Sequence, residues 1–251
     1  MRLFHSFAAL LLGVLTAVAH AAQPATVRLD YAHSGNALNE TYAIERVVIE
    51  PLPWPGNLSR NMHDTNRGNN WLEVVDAKTG DLLYSRGFST VFGEWRTTEE
   101  ANRISRSFQE SVRFPQFAQP VRVRILKRDE RNGFSVAWSI EVDPHAQDVI
   151  RRQPPAPAKP IAIHSGGPSP DKVDLLILGD GYTQKDMKKF EQDARRLTKH
   201  LFSVSPFRER AGDFNVWAMA VPTEQSGITR PSTGVHHPSA LGTPYDIFGS
   251  E

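Results

Sequence analysis

The spacing of apolar residues changes once along this chain, and the change falls at a run of prolines. Before it, aliphatic and aromatic residues recur at every second position; after it, at every third or fourth. Period two places one side of a strand against a core, whereas steps of three and four draw a stripe along a helix. The sequence therefore predicts an antiparallel β-sandwich over 22–150, a Pro/Gly-rich linker over 151–172, and the first βαβ unit of an incomplete α/β domain over 173–251.

Within the first region, Val121, Val123 and Ile125 share one face while Arg122 and Arg124 share the other. After Arg131-Asn132-Gly133, the residues Phe134, Val136, Trp138, Ile140 and Val142 alternate again. An Asn-Gly pair between two such runs signals a hairpin, because both residues tolerate the positive φ of a tight turn. A second hairpin is predicted around Lys78-Thr79-Gly80-Asp81, and an earlier strand around Tyr42, Ile44 and Val47-Val48-Ile49. Half-buried strands of this kind need two facing sheets to keep water from their apolar sides. The joint Gln153-Pro154-Pro155-Ala156-Pro157-Ala158-Lys159-Pro160 cannot enter a sheet interior, since its prolines donate no backbone hydrogen bond.

Past the joint, 173–178 reads as a buried strand that runs into Gly179-Asp180-Gly181-Tyr182-Thr183. Thr183 is suited to cap a helix, and Asp186 suits the positive end of its dipole. Met187, Phe190, Ala194, Leu197 and Leu201 then form one stripe, with Lys188, Lys189, Arg195 and Lys199 on the opposite face. Pro206 closes the helical region, and the mostly apolar stretch 214–221 reads as the next strand. Strand, helix, strand over this length is a crossover between parallel neighbours.

The N-terminal stretch reads as a leader: Arg2, an uncharged apolar run at 7–18, and the small-x-small site Ala19-His20-Ala21. The run is shorter than the about 20 residues a membrane span needs. An uncleaved anchor is the alternative; cleavage at 1–21 implies an exported protein, periplasmic or extracellular, with no later membrane span. The absence of cysteine leaves core burial, rather than disulfides, to hold such a protein together. Without Arg2 the chain carries equal numbers of basic and acidic residues, which argues against a nucleic-acid partner.

Gly179, Asp180 and Gly181 stand where α/β proteins place function, at the carboxyl end of a strand and before a helix. They are the candidate substrate-binding residues; the alternative is a structural turn in which Asp180 bonds to backbone. Gln184 occupies the place of the third glycine of a dinucleotide fingerprint, so that reading fails. No histidine is followed by glutamate, which excludes a His-Glu-x-x-His helix here. His236-His237, His63 and His145 read as loop residues, and Glu99-Glu100 and Asp129-Glu130 as charged turns. Trp54, Trp71 and Trp95 either fill the sandwich core or, if exposed, stack on sugar rings.

Leu175, Ile177, Leu178, Gly179, Asp180, Gly181, Tyr182 and Thr183 together resemble the start of the catalytic domain in the IgA peptidase family of secreted zinc metallopeptidases. The resemblance continues through Phe190, Leu201-Phe202, Pro206-Phe207-Arg208 and Phe214-Asn215-Val216-Trp217. It runs on to Glu224-Gln225-Ser226-Gly227, Ala240-Leu241-Gly242 and Phe248-Gly249-Ser250-Glu251. The family places an N-terminal β domain before its peptidase domain, and its zinc-binding His-Glu-x-x-His segment lies downstream of the last of these blocks. The resemblance thus implies zinc for the complete family member and a protein or peptide substrate, but assigns no metal ligand and no catalytic residue to this chain. It implies a fragment or a natural remnant that is inactive alone. The competing expectation is an exported, non-catalytic module that binds glycan or protein through its sandwich.

Overall fold

The computed structural model describes residues 23–151, 156 and 158–245. The stretch 1–21 read as a leader, part of the proline joint and the block Phe248-Gly249-Ser250-Glu251 lie outside the described residues. The first region contains, in chain order, β1 (Ala25–Gly35), β2 (Glu40–Pro53), β3 (Asn70–Asp76), β4 (Leu82–Phe88), the short helix α1 (Val91–Trp95), β5 (Arg106–Pro115), β6 (Val121–Arg128) and β7 (Phe134–Val142). They form two antiparallel sheets, ordered β2-β1-β5 and β4-β3-β6-β7.

The two sheets share one core. Val27, Leu29 and Tyr31 of β1 and Val112 and Phe114 of β5 pack in one cluster with Leu72 and Val74 of β3 and Val123 and Ile125 of β6. Full burial of an aliphatic or aromatic side chain contributes about 1.5–3 kcal/mol, so this shared face is what joins the sheets. The result is the predicted sandwich. Arg122 and Arg124 project from its outer side toward Glu141 (3.6 Å) and Glu73 (3.7 Å).

Both predicted hairpins form, with differences in detail. Asn132 alone takes positive φ (62°) in the Asn132-Gly133 hairpin, and Asp129 holds that turn by accepting from the amides of Arg131 (2.9 Å) and Gly133 (2.8 Å). The loop is therefore longer than a two-residue turn. Val136 of β7 stands 54 % exposed, because a register shift between Ile125 and Leu126 interrupts the ladder beside it. The alternation did not predict β1 or β5, which lie side by side in the first sheet.

The second region comprises β8 (Ile161–His164), β9 (Val173–Gly179), α2 (Met187–Leu201) and β10 (Phe214–Ala220). Its sheet is ordered β8-β10-β9, with β10 parallel to β9 and antiparallel to β8. The strand–helix–strand crossover is thus present. β8 falls inside the stretch read as linker; Ile161 and Ile163 alternate there, but only over four residues bounded by prolines and glycines. Phe190 and Ala194 of α2 pack against Ala218 and Ala220 of β10.

Two expectations need correction. β9 is an edge strand, with Leu176 47 % and Leu178 50 % exposed; α2 covers the face that carries Ile177 and leaves the other open. An apolar run alone does not tell a central strand from an edge. On α2, Leu197 is 49 % exposed and Thr198 takes the inward place in line with Phe190 and Ala194. The Thr198 hydroxyl donates to the carbonyl of Ala194 (2.8 Å), which satisfies it in an apolar setting.

Candidate functional site

The carboxyl end of β9 is built from glycines for steric reasons. A Cβ on Gly179 would lie 2.4 Å from the Phe190 ring, so its absence lets α2 settle on the sheet. Gly181 adopts φ 73°, a left-handed conformation that glycine takes without steric cost. A Cβ there would meet the carbonyl oxygen of Gly227 at 2.6 Å. The incoming segment binds this turn by its backbone: Gly227 donates to the carbonyl of Gly181 and Thr223 to that of Tyr182, both at 2.8 Å.

Asp180 is the centre of this arrangement. Its carboxylate accepts from the hydroxyls of Ser239 (2.7 Å) and Thr243 (2.5 Å) and from the amides of Thr243 (3.2 Å) and Leu241 (3.4 Å). Partial burial alone would raise its pKa; the bonds from Thr243 and Ser239 outweigh that and hold it below the usual carboxylate value. Four donors occupy the carboxylate, so Asp180 acts as a clamp on the loop 239–243. Its donors lie about 60 residues downstream in place of local backbone. Nothing near Asp180 in sequence signals those partners.

Next to the clamp is a cleft of about 260 Å³ lined by Asp180, Gly181, Tyr182, Asp186, Lys189 and Tyr245 among others. Asp186 accepts from the amide (3.1 Å) and hydroxyl (2.6 Å) of Thr183, which lowers its pKa and completes the predicted helix start. The Tyr182 hydroxyl donates to Asp193 (3.1 Å), and Lys189 pairs with the same carboxylate (2.5 Å). Burial, and then Asp193, push the Tyr182 phenol up. Ser226 also lines the cleft, and its side chain hydrogen-bonds Asp186, so the polar groups here are paired with one another.

Three of the loop histidines make side-chain hydrogen bonds. His63 Nδ1 accepts from the amide of Gly87 (2.9 Å), and His145 Nε2 donates to the carbonyl of Ala118 (3.0 Å). His237 Nδ1 lies 3.0 Å from Gln225 Oε1, while its neighbour His236 is exposed. Among the described residues no three His, Asp or Glu side chains converge as a metal site. The described residues therefore do not fit the zinc centre that the resemblance implies.

Trp54 belongs to the sandwich core. Trp71 is half-buried between His63 and Phe134, and Trp95 between Phe92 and Phe108.

Comparison with known families agrees with both halves of this architecture. Residues 19–139, which include the sandwich strands as far as most of β7, match the family model described as Peptidase M64 N-terminus. Residues 161–251, beginning at the first residue of β8, match the one described as IgA Peptidase M64. No curated protein matches the chain. Two adjoining matches to one family, together spanning most of the sequence in the order sandwich then crossover, show that the chain belongs to the IgA peptidase M64 family.

Proposed function

We propose that this chain forms the sandwich and the opening of the α/β peptidase domain of an exported zinc metallopeptidase that hydrolyses protein or peptide substrates. The observation that carries this reading is the match of 161–251 to the IgA Peptidase M64 model, a span that includes the strand, turn and helix around Asp180. Membership implies metal dependence; zinc would supply Lewis-acid chemistry to the complete enzyme, and no described residue is assigned to hold it. The described residues supply a different part. The Asp180 clamp fixes the loop 239–243 over the end of β9, and α2 fixes β9 against β10.

Export is supported by the leader at 1–21, and among the described residues no helix is long and apolar enough to cross a membrane. Among the described residues no His, Cys, Asp or Glu side chains gather as a metal site, and we expect the chain to be inactive when tested alone. The test has two arms. The purified chain with added zinc is expected to leave a denatured protein substrate intact. Polypeptide joining these residues to an in-frame His-Glu-x-x-His segment is expected to cleave it and to lose activity to a chelator. Zinc-dependent turnover by the first, or chelator-resistant turnover by the second, overturns the proposal.

A further inference from the structure

The sandwich has an opening where β4 of one sheet faces β5 of the other. A cavity of about 300 Å³ enters the core there. Its walls include Trp54, Leu72, Tyr84 and Val112, all buried core residues. The Trp54 and Tyr84 rings meet edge to face at 5.7 Å and make an apolar corner. The volume is at the small end of ligand pockets, which run from about 300 to 1,000 Å³, and fits one bulky side chain better than a larger ligand. Apolar walls hold water poorly, so filling them with an apolar group is favourable.

The rim has the opposite character. Arg86 and Arg113 line it, and no carboxylate does. Arg86 is exposed on β4, and the Arg113 side chain is half-exposed. Arg113 donates its Nε to Glu50 (3.1 Å), but Glu50 also accepts from Arg28 (2.9 Å) and so is shared between two guanidiniums. A guanidinium carries five N–H donors, so one bond to Glu50 leaves Arg113 able to bind a second carboxylate. Cations above an apolar floor match a carboxylate adjoining a bulky apolar group.

We infer that this cavity is a binding site for the C-terminal residue of a peptide, its aromatic or branched aliphatic side chain against Trp54 and Tyr84 and its carboxylate between Arg86 and Arg113. The site is remote in sequence from the Asp180 cleft and gives the sandwich a role in holding peptides. Only the choice of a peptide as source rests on the peptidase reading; the pocket chemistry stands without it.

Binding is measured on the full chain, by calorimetry and by Trp fluorescence, with N-acetyl-Ala-Ala-Phe as probe. Saturable binding is expected, weakened about tenfold or more when the carboxylate is amidated, as expected for loss of one charge-assisted contact. Replacing the terminal Phe by Ala is expected to abolish it. Arg86→Gln also removes a hydrogen bond to the buried Tyr84, so its folding is checked by thermal unfolding; the folded variant should bind the acid more weakly and lose the preference for acid over amide. Equal affinity for acid and amide, or no saturable binding of the Phe peptide, overturns the inference. N-acetyl-phenylalanine binding as tightly as the tripeptide would overturn the peptide source. Hydrolysis is not the readout, so an absence of peptidase activity does not bear on the result.

Discussion

His33 and Glu110 form a buried ion pair between neighbouring strands of the sandwich. His33 Nδ1 is 3.0 Å from Glu110 Oε2, and its other ring nitrogen is 3.2 Å from Glu40 Oε2. A neutral imidazole has one N–H, so two carboxylate neighbours are both satisfied only by the imidazolium. The ring lies between Tyr42 (4.2 Å) and Phe92 (4.0 Å), and His33 is 1 % exposed. Glu110 also accepts from the amide of Phe92 (3.1 Å), and Glu40 from Arg96 (2.9 Å) and Lys127. Burial opposes the charge on His33, but the bonds and charges of Glu110 and Glu40 outweigh it and raise its pKa.

This network predicts a stability window in pH. Because His33 is raised above its ordinary 6.5, its contribution is complete below that value and is lost as pH climbs through the folded value. Burial would raise Glu40, but hydrogen bonds from His33 and Lys127 and the charges of Lys127 and Arg96 lower it from 4.5 to about 2. Its contribution is present above 4.5 and lost as pH falls toward about 2. Support from the network is therefore greatest between 4.5 and 6.5. His33→Gln is expected to cost about 3 kcal/mol there, since removing one member leaves buried charge uncompensated. Urea unfolding of both proteins across pH is the check, and the difference between them should shrink on the alkaline side. A difference that stays flat from about pH 6 to about pH 10 contradicts the charged-ring assignment.

Asp180→Asn tests the clamp. The variant keeps the shape but replaces an ionised acceptor of four bonds with an amide, at an expected cost of about 1–3 kcal/mol to the loop. The loss should be local: faster amide exchange at Thr243 and faster proteolysis within 239–245, with the sandwich unchanged. Since the clamp lowers the pKa of Asp180, wild-type loop protection should fall as pH drops through the carboxylate range. Unaltered exchange at Thr243 would show that the loop is held by other contacts.

Gly179→Ala is predicted to loosen α2. The new methyl would meet the Phe190 ring at 2.4 Å and the Ala220 methyl at 2.9 Å, so the helix must move or the ring must turn. Overpacking of this kind costs about 1–3 kcal/mol. Thermal unfolding should show it, and Gly80→Ala is an instructive control. Gly80 has φ 79° with nothing within 4 Å of an added Cβ, so its cost is confined to backbone strain.

The sequence made the alternating strands of the second sheet legible because their central inward positions, Leu72, Val74, Val121, Val123 and Ile125, are apolar, with Asn70 and Lys127 confined to the strand ends. β1 and β5 were harder to read for one identifiable reason. Each carries a single ionisable residue on its inward face, His33 and Glu110, which interrupts the alternation that would otherwise mark the strand. The interruption in each strand is the other's hydrogen-bond partner, and only the fold brings them together. The Asp180 turn was legible as a turn, whereas its donors at Ser239, Leu241 and Thr243 depend on chain return and left no local trace.

The same limit applies to α2, where steps of three and four admit two neighbouring stripes. The sequence placed Leu197 inward on composition, but Phe190, Ala194 and Thr198 lie in line at steps of four, and the buried line is theirs. Hydrophobicity is therefore the wrong guide to energetic cost here. Leu197→Gln is expected to change stability by no more than about 0.5 kcal/mol, as for other exposed substitutions. Phe190→Ala removes a ring that is 3 % exposed and contacts Tyr182 at 5.2 Å, and is expected to cost about 3–5 kcal/mol. Thr198→Val keeps the volume and removes a hydroxyl that donates to the Ala194 carbonyl, so its cost should fall between the two. Chemical denaturation of the three variants ranks them, and a Leu197 effect as large as that of Phe190 would mean that the helix packs through its other stripe.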